Sequence, residues 1–201
     1  MITFLLSVAG ISLSGVMLPG PLTAATIAKG YRDKNAGAMI ALGHAIVELP
    51  IMLLVYFGFA QFFDIPQVKI AIGIAGGLML IFMGLMVFRA MKRKSDMMAD
   101  VPYNSLATGI VMTAANPYFL LWWATIGIAL IASAAEYGLL GLLLLGLVHW
   151  TCDAAWEIFI STSVFKTKHL WNARIQRTVS MVCALVLIGF GIRFLLSGFT
   201  G

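Results

Sequence analysis

The chain has 201 residues, of which 61% are hydrophobic and 10% charged; its net charge is +5 and its mean hydropathy +0.99. A soluble domain carries about a quarter charged residues, so this composition argues for one membrane domain and leaves too few polar residues for an appended globular one. The basic residues cluster directly against apolar runs, which reads as anchoring at a cytoplasmic face and argues against nucleic acid as a partner.

In chain order, the first run, residues 2–28, carries no charge and is long enough to cross a bilayer. It has no basic leader and no clean cleavage site, so it does not read as a signal peptide. Inside it stands Leu18-Pro19-Gly20-Pro21-Leu22-Thr23. Proline removes a backbone donor and glycine loosens the chain. In hydrocarbon such a break survives only where the freed groups face protein or a wet cavity. Lys29, Arg32 and Lys34 mark a short turn into a second span, 36–59, which His44, Glu48 and Pro50 interrupt. Phe62 and Phe63 sit in the next turn, where an interfacial aromatic belt would lie. The third span, 68–88, is rich in small residues, and Gly73 and Gly77 have the spacing that permits close helix contact. A polar linker, 91–102, follows. The fourth span, 103–133, is broken at Asn116-Pro117. Glu136-Tyr137 is a tight turn into the fifth span, 138–162, and the sixth runs over 171–199.

Six spans put both termini on one side. The clusters Lys29/Arg32/Lys34, Arg89/Lys92/Arg93/Lys94 and Lys166/Lys168/Arg174/Arg177 fall in connections 1–2, 3–4 and 5–6. The positive-inside rule therefore predicts cytoplasmic connections there and extracytoplasmic termini. Arg193 is the exception, near the outer end of span six; snorkelling outward is preferred to pairing inside the bundle. The whole of 1–201 reads as one all-α transporter domain. Repeat one is 1–90 and repeat two 103–201; three spans in each force the second to run inverted. Gly15-Val16-Met17-Leu18 before the first break is similar to Gly109-Ile110-Val111-Met112 before the second. Broken spans in corresponding halves, the first and the fourth, point to a site near the midplane.

Span two carries His44 and Glu48, and span five carries His149 and Asp153. Each pair is four residues apart and so shares a helix face. Carboxylates in hydrocarbon are costly unless neutral, paired or wet, which makes them functional candidates. Glu157, one turn further, falls nearer the cytoplasmic end, where a solvated interfacial role is expected at least as readily. The breaks supply the opposite sign. Pro21 and Pro117 suit the first position of a new helical segment, and Asn116 suits a cap. The half-helices then offer unpaired N–H groups that can receive a carboxylate. Carboxylates elsewhere can receive an ammonium group, so the two together suit an amino acid. The predicted substrate-binding set is Pro19, Gly20, Pro21, Thr23, His44, Glu48, Asn116, Pro117, Trp123, His149 and Asp153.

Plainer readings stand beside this one. The prolines can be packing kinks, each histidine can simply stabilise its own carboxylate, and Trp122, Trp123, Trp150 and Trp156 can be core or lipid-facing. The alternative function is export of a divalent cation, with His44, Glu48, His149 and Asp153 as nitrogen and oxygen ligands. An enzyme is not expected. Ser12 or Ser14 with His149 has no supporting motif, and Cys152 and Cys183 have no redox or metal spacing. No cofactor is predicted.

Pro19-Gly20-Pro21 in span one, the Gly37–Gly43 spacing that opens span two, and Asn116-Pro117 followed by Leu121-Trp122-Trp123 carry a likeness. With them the chain resembles the lysine exporter superfamily, the LysE-type translocators, over nearly its whole length. The resemblance implies a small inner-membrane exporter of three-plus-three inverted spans, dimeric in many members and commonly carrying amino acids. Related branches export metal cations.

Overall fold

The computed structural model describes residues 1–17, 20–58, 65–92 and 101–200. The expected positions Leu18 and Pro19, the Phe62-Phe63 turn, and most of the polar linker with Arg93 and Lys94 lie outside the described residues. The chain is all-α, a multi-pass membrane protein. Its helices are α1 (Ile2–Val16), α2 (Pro21–Gly30), α3 (Ala36–Tyr56), α4 (Pro66–Lys92), α5 (Ser105–Ala114), α6 (Pro117–Trp122), α7 (Ile128–Ala135), α8 (Gly138–Thr167) and α9 (Ala173–Thr200). Helices α3, α4, α8 and α9 are each long and apolar enough to cross a bilayer. The pair α1 and α2 passes the same test together, bent by 76°.

The expected breaks are visible in the backbone. Helix α1 stops at Val16, and α2 restarts with Pro21 in its first turn after an extended Gly20. Proline is well placed there, because that position has no intrahelical partner for an N–H in any case. The Gly20 carbonyl accepts from Ala24 N–H at 3.0 Å, closing the first turn. In the second half α5 begins on Asn104, whose side chain accepts from Ala107 N–H at 2.8 Å. It ends at Ala114, and the Asn116 carbonyl accepts from Phe119 N–H at 3.1 Å to start α6. Beyond α6, residues Trp123–Gly127 wind as a π-helical turn, which neither composition nor periodicity announced. The Glu136-Tyr137 turn is as expected; Gly138 enters α8 with a φ of +61°, a left-handed conformation that suits glycine.

Packing is set by small residues. Helix α4 lies along α9, and α3 lies between α5 and α8. A Cβ on Gly77 would sit 2.7 Å from the Gly191 carbonyl oxygen, so the small-residue face of α4 is spent on α9. Gly43 and Gly109 bring α3 and α5 together backbone to backbone: a Cβ on Gly43 would overlap the Leu106 carbonyl, and one on Gly109 the Ile40 carbonyl. Gly37 meets the Glu157 carbonyl of α8 in the same way. We expect Gly43→Val to lower the melting temperature by several degrees, since overpacking typically costs about 1–3 kcal/mol. Thermal unfolding of the purified protein checks this, and an unchanged midpoint would show that α3 and α5 part freely.

Candidate functional site

The buried stripe of α8 runs Leu142, Leu145, His149, Cys152/Asp153, Glu157, Ser161, Val164, with the three-and-four spacing of a helix face turned inward. The buried stripe of α3 includes Gly37, Ala41, His44, Glu48, Met52 and Val55. Both histidine–carboxylate pairs therefore lie on core-facing stripes. Because α3 packs on α8, the pairs become one cluster. His44 Nε2 lies 3.1 Å from Glu48 Oε1, and His149 Nε2, from the other half, lies 3.0 Å from the same oxygen. Trp123 Nε1–H donates to it as well, at 3.3 Å. Asp153 Oδ2 stands 3.6 Å from His149 Nε2 and 3.9 Å from His44 Nε2, within ion-pair range but outside hydrogen-bond geometry.

Each ring is held at its other nitrogen by a hydroxyl from a neighbouring helix. Ser12 Oγ on α1 is 2.7 Å from His149 Nδ1, and Thr113 Oγ1 on α5 is 2.7 Å from His44 Nδ1. Aromatic rings close the cluster. Trp122 stacks on His149 with centroids 5.2 Å apart, Trp123 meets the same imidazole edge-on at 5.1 Å, and Phe119 meets His44 edge-on at 5.3 Å. The π-helical turn begins at Trp123, and Gly127 leaves the room its ring needs, since a Cβ there would overlap it. Such turns are frequent at functional sites.

Beside the cluster is a cavity of about 380 Å³. Of the expected substrate set, Gly20, Pro21, Thr23, His44, Glu48, Asn116, Trp123, His149 and Asp153 line it. Pro117 follows Asn116 as the first residue of α6, and Pro19 lies outside the described residues. The two breaks, far apart in sequence, thus face one space. Glu157 corrects an expectation: it is 2% exposed and lines the cavity, because the approach of Gly37 seals α3 over that turn of α8. Arg193 is exposed on α9 and also lines the cavity. Trp150 and Trp156 are not among the lining residues; Trp150 Nε1–H donates to the Ala41 carbonyl at 3.2 Å instead.

Sequence reasoning set Ser12 with His149 aside for want of a motif, and it missed Thr113, Phe119 and the burial of Glu157. A hydroxyl one residue in a long apolar helix carries no signal of its partner, which only the glycine-set helix approach supplies.

Chemically, the cavity joins two kinds of group. Helix α2 presents the N–H groups of its first turn, from Leu22 and Thr23, which have no intrahelical acceptors. Opposite in charge are Glu48, Asp153 and Glu157, all buried. Glu48 Oε2, Asp153 Oδ2 and Glu157 Oε2 have no hydrogen-bond partner among the described residues. Buried polar atoms without partners are expensive, and a cationic visitor in the cavity would satisfy them. For the cation alternative, one atom each from His44, Glu48 and Asp153 lie within 4.8 Å of one another. The His44 nitrogen and the Glu48 oxygen, however, are turned on each other at 3.1 Å, an arrangement that proton sharing accounts for directly.

The chain is similar to the "Putative amino acid efflux protein YcgF" of Bacillus subtilis (strain 168), 26% identical over 193 residues that cover 93% of this chain and 91% of that protein. No solved structure matches it. The LysE type translocator family matches over residues 13–198, spanning both breaks, both histidine–carboxylate pairs and every residue that lines the cavity except Ser12. A bundle of apolar helices around a cavity that holds buried carboxylates, matched over that length, is a membrane translocator and not an enzyme: the chain belongs to the LysE type translocator family.

Proposed function

We propose that this translocator is a secondary exporter of a small amino acid or similar zwitterion, coupled to protons or to the membrane potential. The observation that carries the reading is the single cavity in which the α2 N-terminus faces buried carboxylates with unsatisfied oxygens. A substrate carboxylate fits the first and an ammonium group the second. The relative's printed name, amino acid efflux, agrees with it.

The working unit of this reading is one domain of two inverted repeats, 1–90 and 103–201, with six spans of which the first and fourth are broken. Exchange of contacts between the halves supports it: α1 of the first half packs on α8, and α5 of the second packs on α3. The hydroxyl–histidine contacts repeat in the same crossed sense. Both termini are extracytoplasmic, connections 1–2, 3–4 and 5–6 cytoplasmic, the location the cell (inner) membrane, and the assembly a homodimer. Transport then rocks one half against the other around the fixed site.

Reconstituted protein in liposomes is expected to give counterflow of at least one small amino acid, with saturable dependence on its concentration. Absence of counterflow across the amino acids, together with flux of zinc or manganese, would overturn the proposal in favour of cation export.

A further inference from the structure

The hydrogen bonds at the two histidines differ in a way that fixes their protons. Thr113 Oγ1 is 2.7 Å from the Gly109 carbonyl oxygen and 2.7 Å from His44 Nδ1. A hydroxyl has one proton. A carbonyl only accepts, and two oxygens at 2.7 Å without a proton between them repel, so Thr113 donates to Gly109. It must then accept from His44, which puts a proton on Nδ1. His44 Nε2 nevertheless faces Glu48 Oε1 at 3.1 Å. A second proton has to lie between those two atoms, on the nitrogen or on the oxygen.

Ser12 is placed otherwise. It makes no back-bond to its own helix among the described residues, whereas Ser7 donates to Thr3 and Ser14 to Ile11. Its proton goes to His149 Nδ1 at 2.7 Å, so the neutral ring carries its proton on Nε2 and donates to Glu48 Oε1 at 3.0 Å. That oxygen also receives the Trp123 indole N–H. An oxygen accepting two N–H groups is best served as an ionised carboxylate, which leaves the shared proton on His44.

We infer that the two histidines are held in opposite tautomeric settings, so that His44, positioned by Thr113, carries the exchangeable proton of the cluster, while His149, positioned by Ser12, is a neutral donor. The ionisable groups around His44 are Glu48 on its own helix and His149, Asp153 and Glu157 on α8; Arg193 of α9 lines the same cavity, and α5 contributes only the Thr113 hydroxyl. When a substrate ammonium settles against Asp153 Oδ2, one positive charge has arrived beside Glu48, and His44 releases one proton to water in the cavity. Charge balances, and proton and substrate exclude each other within the same cluster. The transport half of this inference rests on proton-coupled export; the tautomer assignment does not.

The test uses full-length protein, 15N-labelled at histidine, in lipid bilayers, with His169→Gln removing the third histidine. Ring nitrogen shifts in NMR distinguish the two neutral tautomers from the doubly protonated ring. The expected spectrum at neutral pH has one ring doubly protonated and one neutral with its proton on Nε2; Thr113→Val perturbs the former and Ser12→Ala the latter. Two rings of the same form, or a doubly protonated His149, would overturn the assignment. In liposomes, Thr113→Val removes the acceptor of the Nδ1 proton and should move the midpoint of the pH–exchange profile about one unit lower, a hydrogen bond to a charged group being worth that much. Thr113→Ser should restore it, and Ser12→Ala should leave the midpoint in place. Equal shifts in Thr113→Val and Ser12→Ala overturn the inference. Exchange with no pH dependence in the unaltered protein refutes proton coupling while the spectrum still decides the tautomers.

Discussion

Glu48→Gln should abolish uphill export while leaving exchange of substrate down its own gradient. Glu48 Oε1 is the oxygen on which both imidazoles and the Trp123 indole converge. The amide keeps much of the size and deletes the charge, so the proton that His44 carries loses its counter-ion. Breaking a buried ion pair costs about 3–5 kcal/mol, which corresponds to a hundredfold or greater loss of the protonated state, roughly two decades in proton-driven flux. Asp153→Asn should behave differently. Its Oδ2 has no hydrogen bond among the described residues and faces the cavity, so the substrate ammonium loses its receptor and binding itself falls. Counterflow and gradient-driven uptake, measured on monodisperse variants across pH, separate the two. Equal loss in both variants, with equal thermal destabilisation, would leave these carboxylates with a structural role only.

The second large effect is expected from Gly20→Leu: export lost, insertion and folding kept. Gly20 has an extended backbone, φ −155° and ψ −172°, which any residue adopts. The substitution therefore strains nothing locally and raises hydrophobicity, and membrane yield and melting temperature should match the parent. Its side chain, however, enters the cavity that Gly20 lines, against the first turn of α2 where a carboxylate would dock. Normal counterflow by a well-folded Gly20→Leu protein would show that the break is not the binding site.

Much of the architecture could be read from spacing. Charge-free runs located the four long apolar helices and the bent α1–α2 pair, and the prolines located the points where helices stop and restart, because both follow from local backbone chemistry. His44 with Glu48 and His149 with Asp153 stood out for the same reason, a separation of four on one helix face. Their fusion into one cluster was not legible. It depends on how closely α3 approaches α8 and α5, and the residues that decide this, Gly37, Gly43 and Gly109, sit in a chain with 20 glycines. Glu157 went the wrong way for a related cause: its distance along the span suggested solvent, while the neighbouring helix covered it. The π-helical turn at Trp123 left no periodic trace, since five residues are too few to show one.

At the end of the bundle that carries Gly30, Gly37 and Ser161, the helices touch through backbone. A Cβ on Gly30 would lie 2.7 Å from the Ser161 Cα, and the Ser161 hydroxyl donates to the Lys34 carbonyl at 3.0 Å. The Ser161 side chain in this seam is too short to swing aside as a gate. Opening it requires whole helices to tilt apart, displacing the lipid tails packed around them. If the halves rock as proposed, part of the work of each turnover is done on the bilayer, and lateral pressure and acyl-chain thickness become terms in the transport rate alongside anything the cavity itself provides.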